Sequence, residues 1–223
     1  MQPLCNGAKS RRMLPAAILA GIVAMGCSAA IQRMHPQFAA YRQPLGVMLV
    51  LSPDIDIFEK MSDGSRIYRE VLSQRARDTA QAEIVRQLQD RHFGVRTLEA
   101  GAIATVDVQS ITALYRSVNR SIQLHTIGPQ IFPAKKSAFD YRVGSVADML
   151  RAYDADGMIL ALGHQTGIGR PDRNWLSIAV VEPQGRIIWY GIYGNHKRFD
   201  IQTPADMQAL VASTMADFWE SGS

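Results

Sequence analysis

Leu45 to Leu51 (LGVMLVL) is an unbroken apolar run, closed by Pro44 on one side and Ser52-Pro53-Asp54 on the other. Its length suits a strand, and a strand without polar alternation has to be covered on both faces. Such a strand calls for helices on either side, and the rest of the chain supplies helical patterns. Ser65 to His92 places Tyr68, Leu72, Ala76, Ala80, Ile84 and Leu88 four residues apart. A strict four-residue row drifts around a helix of 3.6 residues per turn, so this helix is expected to bend or to break near Asp78. Asp107 to His125 reads as a second helix with Asp107 as its cap, and Ser145 to Tyr153 as a short third. In the last helix Thr203 is the N-cap, Pro204 the first helical residue, and Asp206 stands three after the cap. Met207, Leu210, Val211, Met215 and Phe218 form its apolar stripe.

Between the helices lie Val95 to Leu98, Met158 to Leu162, and two segments, Trp175 to Val181 and Arg186 to Tyr193, around Pro183-Gln184-Gly185. These read as strands, the last pair as a hairpin. Residues 52–64 read as polar and irregular, 127–143 as a loop, and 163–174 as a glycine-rich loop. The order β-α-β-α-α-β-β-β-α describes a single α/β domain: a mixed sheet of about five strands with helices packed on it, closed by a C-terminal hairpin and helix.

The N-terminus has a different character. Lys9, Arg11 and Arg12 precede an apolar run from Met13 to Met25, which is too short for the roughly 20 residues a membrane span needs. It has the length of a signal core. It ends Val23-Ala24-Met25-Gly26-Cys27, and this resembles the bacterial lipobox, in which small residues precede a cysteine. The resemblance implies cleavage between Gly26 and Cys27, a diacylglycerol (palmitate-bearing) on the Cys27 thiol, and acylation of the new amine. Ser28 after the cysteine implies the outer membrane. The expected organisation is a lipoprotein signal peptide at 1–26, a lipidated N-terminus and tether at 27–44, and a periplasmic domain at 45–223.

That reading also explains the charge and the cysteines. The chain carries 24 Lys and Arg against 20 Asp and Glu. Three of those cations and no acid fall in the first 26 residues, which leaves 21 against 20. A nearly neutral domain gives no support to nucleic-acid binding. Of two cysteines, Cys5 leaves with the signal, so the mature chain has no disulfide.

Several mature-domain features form a second resemblance. Ala155-Asp156-Gly157-Met158-Ile159-Leu160 opens a strand. The hairpin carries Val180-Val181-x-Pro183-x-Gly185-Arg186-Ile187-Ile188-Trp189, and an amphipathic helix closes the chain. Over roughly residues 45–219 this resembles envelope lipoproteins whose periplasmic domain is similar to the amino-terminal domain of TolB, including the curli-secretion (CsgG-type) lipoproteins and activators of peptidoglycan synthases. The resemblance implies a binding or assembly module rather than an enzyme, with a protein partner in the envelope and self-association as further expectations. Residues 101–142 read as helix and loop, without the alternating strands of a membrane pore.

Candidate chemistry is sparse. His35, His92, His125, His164 and His196 form no pair at metal-ligand spacing, so neither a metal nor a cofactor is expected. Gly163 to Gly169 has the glycines of a phosphate loop but leads into a strand, not a helix. Arg170 and Arg173 in that loop are candidates for partner contact. An envelope hydrolase or transferase would have to use His164, His196 and Asp200, and a ring-forming secretion component is the other alternative. Lys135-Lys136 reads as an exposed loop pair, Trp189 as sheet packing, and Phe218-Trp219 as core or as a seat for a neighbouring subunit.

Overall fold

The computed structural model describes residues 30–98, 106–127, 132–169, 171–194 and 199–220. Gly26, Cys27, Arg170, His196 and the Lys136 side chain lie outside the described residues. The strands are β1 (Ile31–Met34), β2 (Val47–Val50), β3 (Asp54–Lys60), β4 (Arg66–Tyr68), β5 (Gly94–Thr97), β6 (Gly157–Thr166), β7 (Arg173–Val181) and β8 (Ile187–Gly194). The helices are α1 (Phe38–Arg42), α2 (Glu70–Gln89), α3 (Val106–Ile122), α4 (Pro133–Ser137), α5 (Ala147–Ala152) and α6 (Pro204–Glu220), with a π-helical turn at Gln123–Ile127 after α3.

All eight strands belong to one mixed sheet, in the order β1-β8-β7-β6-β2-β5 with β3 and β4 beside the far half of β6. The α/β class and mixed sheet are as the sequence indicates; the strand number is eight rather than about five. Strand β6 organises the whole. It pairs antiparallel with β7 along its full length. On its other side it pairs in parallel first with β2, from Met48↔Gly157 to Val50↔Ile159, and then with β3, from Asp54↔Leu162 to Phe58↔Thr166. The chain thus passes along β6 twice in succession, interrupted at Leu51-Ser52-Pro53. Pro53 cannot donate to a ladder, which suits it to the break.

The run 45–51 is buried on both sides, as its composition requires. Met48 and Val50 join a core with α1, α2 and α6, through residues such as Ala80, Ile84, Met207 and Phe218. Leu49 and Leu51 join the opposite core with α3 and α5, through Ile111, Tyr115, Ile122 and Leu150. Helix α2 runs unbroken through Asp78, and its row Ala76, Ala80, Ile84, Leu88 is buried. The predicted stripe of α6 is buried throughout. The Asp206 amide donates to Thr203 Oγ1 at 3.3 Å, the expected N-cap bond. Trp189 is fully buried in the sheet core, with its indole N–H donating to Gln32 Oε1 at 3.2 Å.

Several boundaries differ from the sequence reading. Asp107 lies in the first turn of α3 rather than capping it, and α4 falls within the expected loop at 127–143. Residues 54–60 are strand, not irregular. Residues 66–68 are strand, not the first turn of α2. Gly163 to Thr166 continues β6 rather than starting a loop. Finally, the stretch expected to be a tether up to Pro44 contains β1, paired with β8 from Ile31↔Ile192 to Met34↔Trp189, and the short helix α1 with Phe38 in the core. The domain therefore begins by Ile31.

Two carboxylates fix the frame. Asp156 Oδ2 accepts from the amides of Gly46 (3.0 Å) and Val47 (2.8 Å), tying the start of β2 to that of β6. Glu182 accepts from the amides of Gln184 (3.1 Å) and Arg186 (2.9 Å) and closes the β7–β8 turn, where Gly185 takes φ +82°. A side chain at that φ is strained, so glycine serves there.

Candidate functional site

Strands β3 and β6 run parallel beyond the end of β2, and the face they share with α3 is only half covered. Leu162 and Ile122 mark the last of the buried apolar packing on that side. The next row along the sheet is Asp56↔His164↔Trp175, in register across β3, β6 and β7. The row after it is Phe58↔Thr166↔Arg173, extended by Tyr68 opposite Phe58. Side chains of paired residues lie on one face, so these two rows form a floor beside the end of α3. Its rings form a tilted and stacked series: Tyr68 to Phe58 at 5.6 Å and Phe58 to His164 at 5.4 Å are tilted, and His164 stacks on Trp175 at 6.4 Å and 21°.

The wall comes from α3 and its π-helical extension. Arg116, Asn119, Arg120 and Gln123 line a cleft of about 470 Å³ above the floor, with Arg66 and Arg173 on its other sides. A second cleft of similar volume lies between α2 and α3 and shares Asp54 and Arg116 with it. Position near the carboxyl ends of parallel strands is where open α/β sheets commonly hold ligands.

The charges of the cleft are unevenly satisfied. Asp54 is gripped by Arg116 through Nε and, at 2.6 Å, through Nη2. That bond holds the Arg116 guanidinium above its ordinary pKa. Asp56 faces Arg77 Nη2 at 3.3 Å, and the same guanidinium donates to Tyr68 Oη at 2.9 Å and to the Ile55 carbonyl at 3.1 Å. Lys60 pairs with Asp172 at 2.8 Å. Arg66, Arg120 and Arg173 are exposed, and none makes a hydrogen bond or ion pair to a described residue. Under the wall, Asn119 is 3% exposed and accepts from the Tyr190 hydroxyl at 2.7 Å. Burial pushes the phenols of Tyr190 and Tyr115 up, and Tyr190 stays the neutral donor to Asn119.

His164 is half-buried and contacts Thr166 Oγ1 at 3.0 Å through Nε2. Burial lowers its pKa first; Asp56 opposes this and Arg173 and Arg66 add to it. His35, capping the short turn before α1, is lowered by burial and by Arg186. For both, the unfolded chain holds a proton more tightly than the native one. Their contribution to stability is therefore fully present above the ordinary value of 6.5 and is lost as pH falls through and below it. Chemical denaturation between pH 7.5 and 5.5 should show stability falling with acid, and less steeply in His164→Asn. An equal slope in that variant would remove His164 from the explanation.

Of the residues an envelope hydrolase would use, His164 and Asp200 do not come together, and His196 lies outside the described residues. Gln165, next to His164 on β6, points to the opposite face and binds Asp200 Oδ1 at 2.7 Å and the Ile201 amide at 2.9 Å. His164 and Asp200 therefore lie on opposite sides of the sheet. His125 stacks edge-on to Phe132 at 5.1 Å, and Lys135 sits 5.4 Å from the Tyr141 ring. Phe218 is core and not a free seat, while half-buried Trp219 carries Arg91 at 4.2 Å. Of the two arginines singled out by sequence, Arg173 lines the cleft. Asp54, Asp56, Arg66, Arg116, Asn119, Arg120 and Trp175 were not legible as site residues. The alternation Asp54-Ile55-Asp56-Ile57 and a polar Asn119 within the apolar stripe of α3 were the available signals.

No family model and no curated protein matches the chain. Among solved structures, a PelC dodecamer from Paraburkholderia phytofirmans is similar at 12% identity and TM-score 0.42, over 84% of this chain and 94% of that one. Lipoprotein GNA1162 from Neisseria meningitidis is similar at 10% identity and TM-score 0.37, over 78% and 96%. The LpoB C-terminal domain from Salmonella enterica is similar at 14% identity and TM-score 0.28, over 74% and 96%. At these values no residue role, ligand or partner transfers. Among the described residues no helix is long and apolar enough to cross a membrane.

Proposed function

We propose that this chain is an outer-membrane lipoprotein, anchored through acyl chains on Cys27 with its domain in the periplasm, and that it serves an envelope complex as a binding or assembly module of the TolB-like, curli-secretion type. The observation that carries the reading is the closeness of the lipobox cysteine to the fold. Ile31, four residues after Cys27, is already hydrogen-bonded into the sheet. A fully extended chain reaches about 3.5 Å per residue, so β1 stays within about 14 Å of Cys27. A domain held this closely to its anchor works at the membrane surface, not at a distance on a long tether. An open and heavily charged concave surface is the cleft between α3 and the β3–β6 floor, which is the surface proposed for contact.

The test is affinity capture from detergent-solubilised membranes, comparing wild type with Cys27→Ala and with Arg120→Glu in the cleft. A stoichiometric partner retained by wild type and weakened by Arg120→Glu supports the module. A strictly monomeric wild-type protein that retains nothing contradicts it.

A further inference from the structure

The cleft has a charge pattern that narrows what it can hold, and the inference deepens the binding-module reading of the same surface. We infer that it takes an anionic phosphoryl group, gripped by Arg66, Arg120 and Arg173 over the His164–Trp175 floor.

Three observations converge. First, both acids of the cleft are already engaged by a cation, Asp54 by Arg116 and Asp56 by Arg77, and Asp172 next to it is held by Lys60. Arg66, Arg120 and Arg173 line the same space and make no hydrogen bond or ion pair to a described residue. The space therefore holds three guanidinium groups beyond those its carboxylates neutralise. Guanidinium forks match the tetrahedral oxygens of a phosphoryl group and bind it through paired, charge-assisted hydrogen bonds.

Second, Asn119 is buried, and its carbonyl oxygen is used by Tyr190. Its amide nitrogen makes no hydrogen bond to a described residue, and the side chain lines the cleft. That amide is not sealed from the cleft and is free to donate to an anionic oxygen there. The donor is also held in place from behind by the Tyr190 bond.

Third, His164 is half-buried on the floor, where burial lowers its pKa, Asp56 opposes this, and Arg173 and Arg66 add to it. Its imidazole, stacked on Trp175, offers a flat, partly apolar floor beneath the cations. A phosphate ester, with a charged head and a less polar body, suits such a surface. The ligand oxygens would add negative charge next to His164 and so raise its proton affinity when bound.

The phosphoryl group can come from a soluble phosphate ester or from a lipid headgroup, and two probes separate these. Purified full-length protein in non-ionic detergent is titrated calorimetrically with inorganic pyrophosphate and, separately, with glycerophosphoglycerol, the water-soluble headgroup of phosphatidylglycerol. Saturable binding of pyrophosphate points to the soluble source and of glycerophosphoglycerol to the lipid one; either supports the site. Arg66→Ala, Arg120→Ala and Arg173→Ala should each weaken binding about tenfold, the loss of one charge-assisted hydrogen bond. All three positions are exposed, so thermal midpoints should stay at the wild-type value. Arg96→Ala, an exposed cation on β5 outside the cleft, should leave affinity unchanged. Affinity should fall as salt is raised. The inference is overturned if neither probe binds, if the triple arginine variant binds like wild type, if Arg96→Ala costs as much as the cleft variants, or if citrate binds as tightly as the phosphoryl probes. None of these outcomes depends on acylation of Cys27, so the anchor and the ligand stand or fall separately.

Discussion

Phe218→Ala should destabilise the domain by about 3–5 kcal/mol, the range for deleting a buried aromatic ring from a packed core. Its ring is fully buried and meets Trp189 at 5.3 Å, Phe38 at 6.1 Å, Phe93 at 6.5 Å and Trp219 at 4.7 Å. Those partners come from β8, from α1, from the turn before β5 and from α6 itself. The one side chain therefore joins the N-terminal segment, the sheet and the last helix. The cavity cannot close readily, because its walls belong to separate elements. Urea denaturation should show a lower midpoint with an unchanged slope, and the thermal midpoint should fall by roughly 6–20 °C at about 2–4 °C per kcal/mol. Trp219→Ala, which removes a half-buried ring and its contact with Arg91, should cost only about 1–2 kcal/mol. A loss below about 1 kcal/mol for Phe218→Ala would show that this junction does not hold the layers together.

Cys27→Ala should abolish lipid labelling completely. If Cys27 is the acceptor, labelled palmitate enters wild type and Cys5→Ala equally and does not enter Cys27→Ala. The thiol is the only group at that position able to form the thioether, and several acyl chains hold a protein to a bilayer where one is marginal. Label retained in Cys27→Ala, or lost in Cys5→Ala, would place the anchor elsewhere.

Segments whose burial is symmetric or strictly periodic were legible in the sequence. The run 45–51 announced a strand covered on both faces, and α6 announced its cap and its stripe. Strand β3 was not legible, and the cause is physical. Ile55 and Ile57 enter the core beneath α2, but Asp54 and Asp56 alternate with them on a face that α3 covers only in part. The acids that disguised the strand are those that line the cleft. Gly163 disguised the second half of β6 in a similar way. A Cβ there would lie 3.1 Å from Ile55 Cγ1, so the glycine serves close strand packing and not a turn. Strands β1 and β4 are short, lie at the sheet margins and are largely solvated, so neither carries a pattern.

The cleft was legible only at Arg173 and, in another role, at His164. Its other members sit on separate elements, with Arg66 on β4, Arg116, Asn119 and Arg120 on α3, and Trp175 on β7. Nothing in their spacing along the chain joins them; the parallel pairing of β3 with β6 does. Conversely, His164 and Asp200 look compatible in sequence, yet the alternation of β6 sets His164 and the Asp200-binding Gln165 on opposite faces.

The intact mass and N-terminal sequence of the mature protein, measured by mass spectrometry on material extracted from membranes, test the anchored reading most directly. The expected result is a chain beginning at Cys27, with a diacylglyceryl group on sulfur and an acylated amine. A chain beginning at any other residue, or one with Cys27 as a free thiol, would contradict it.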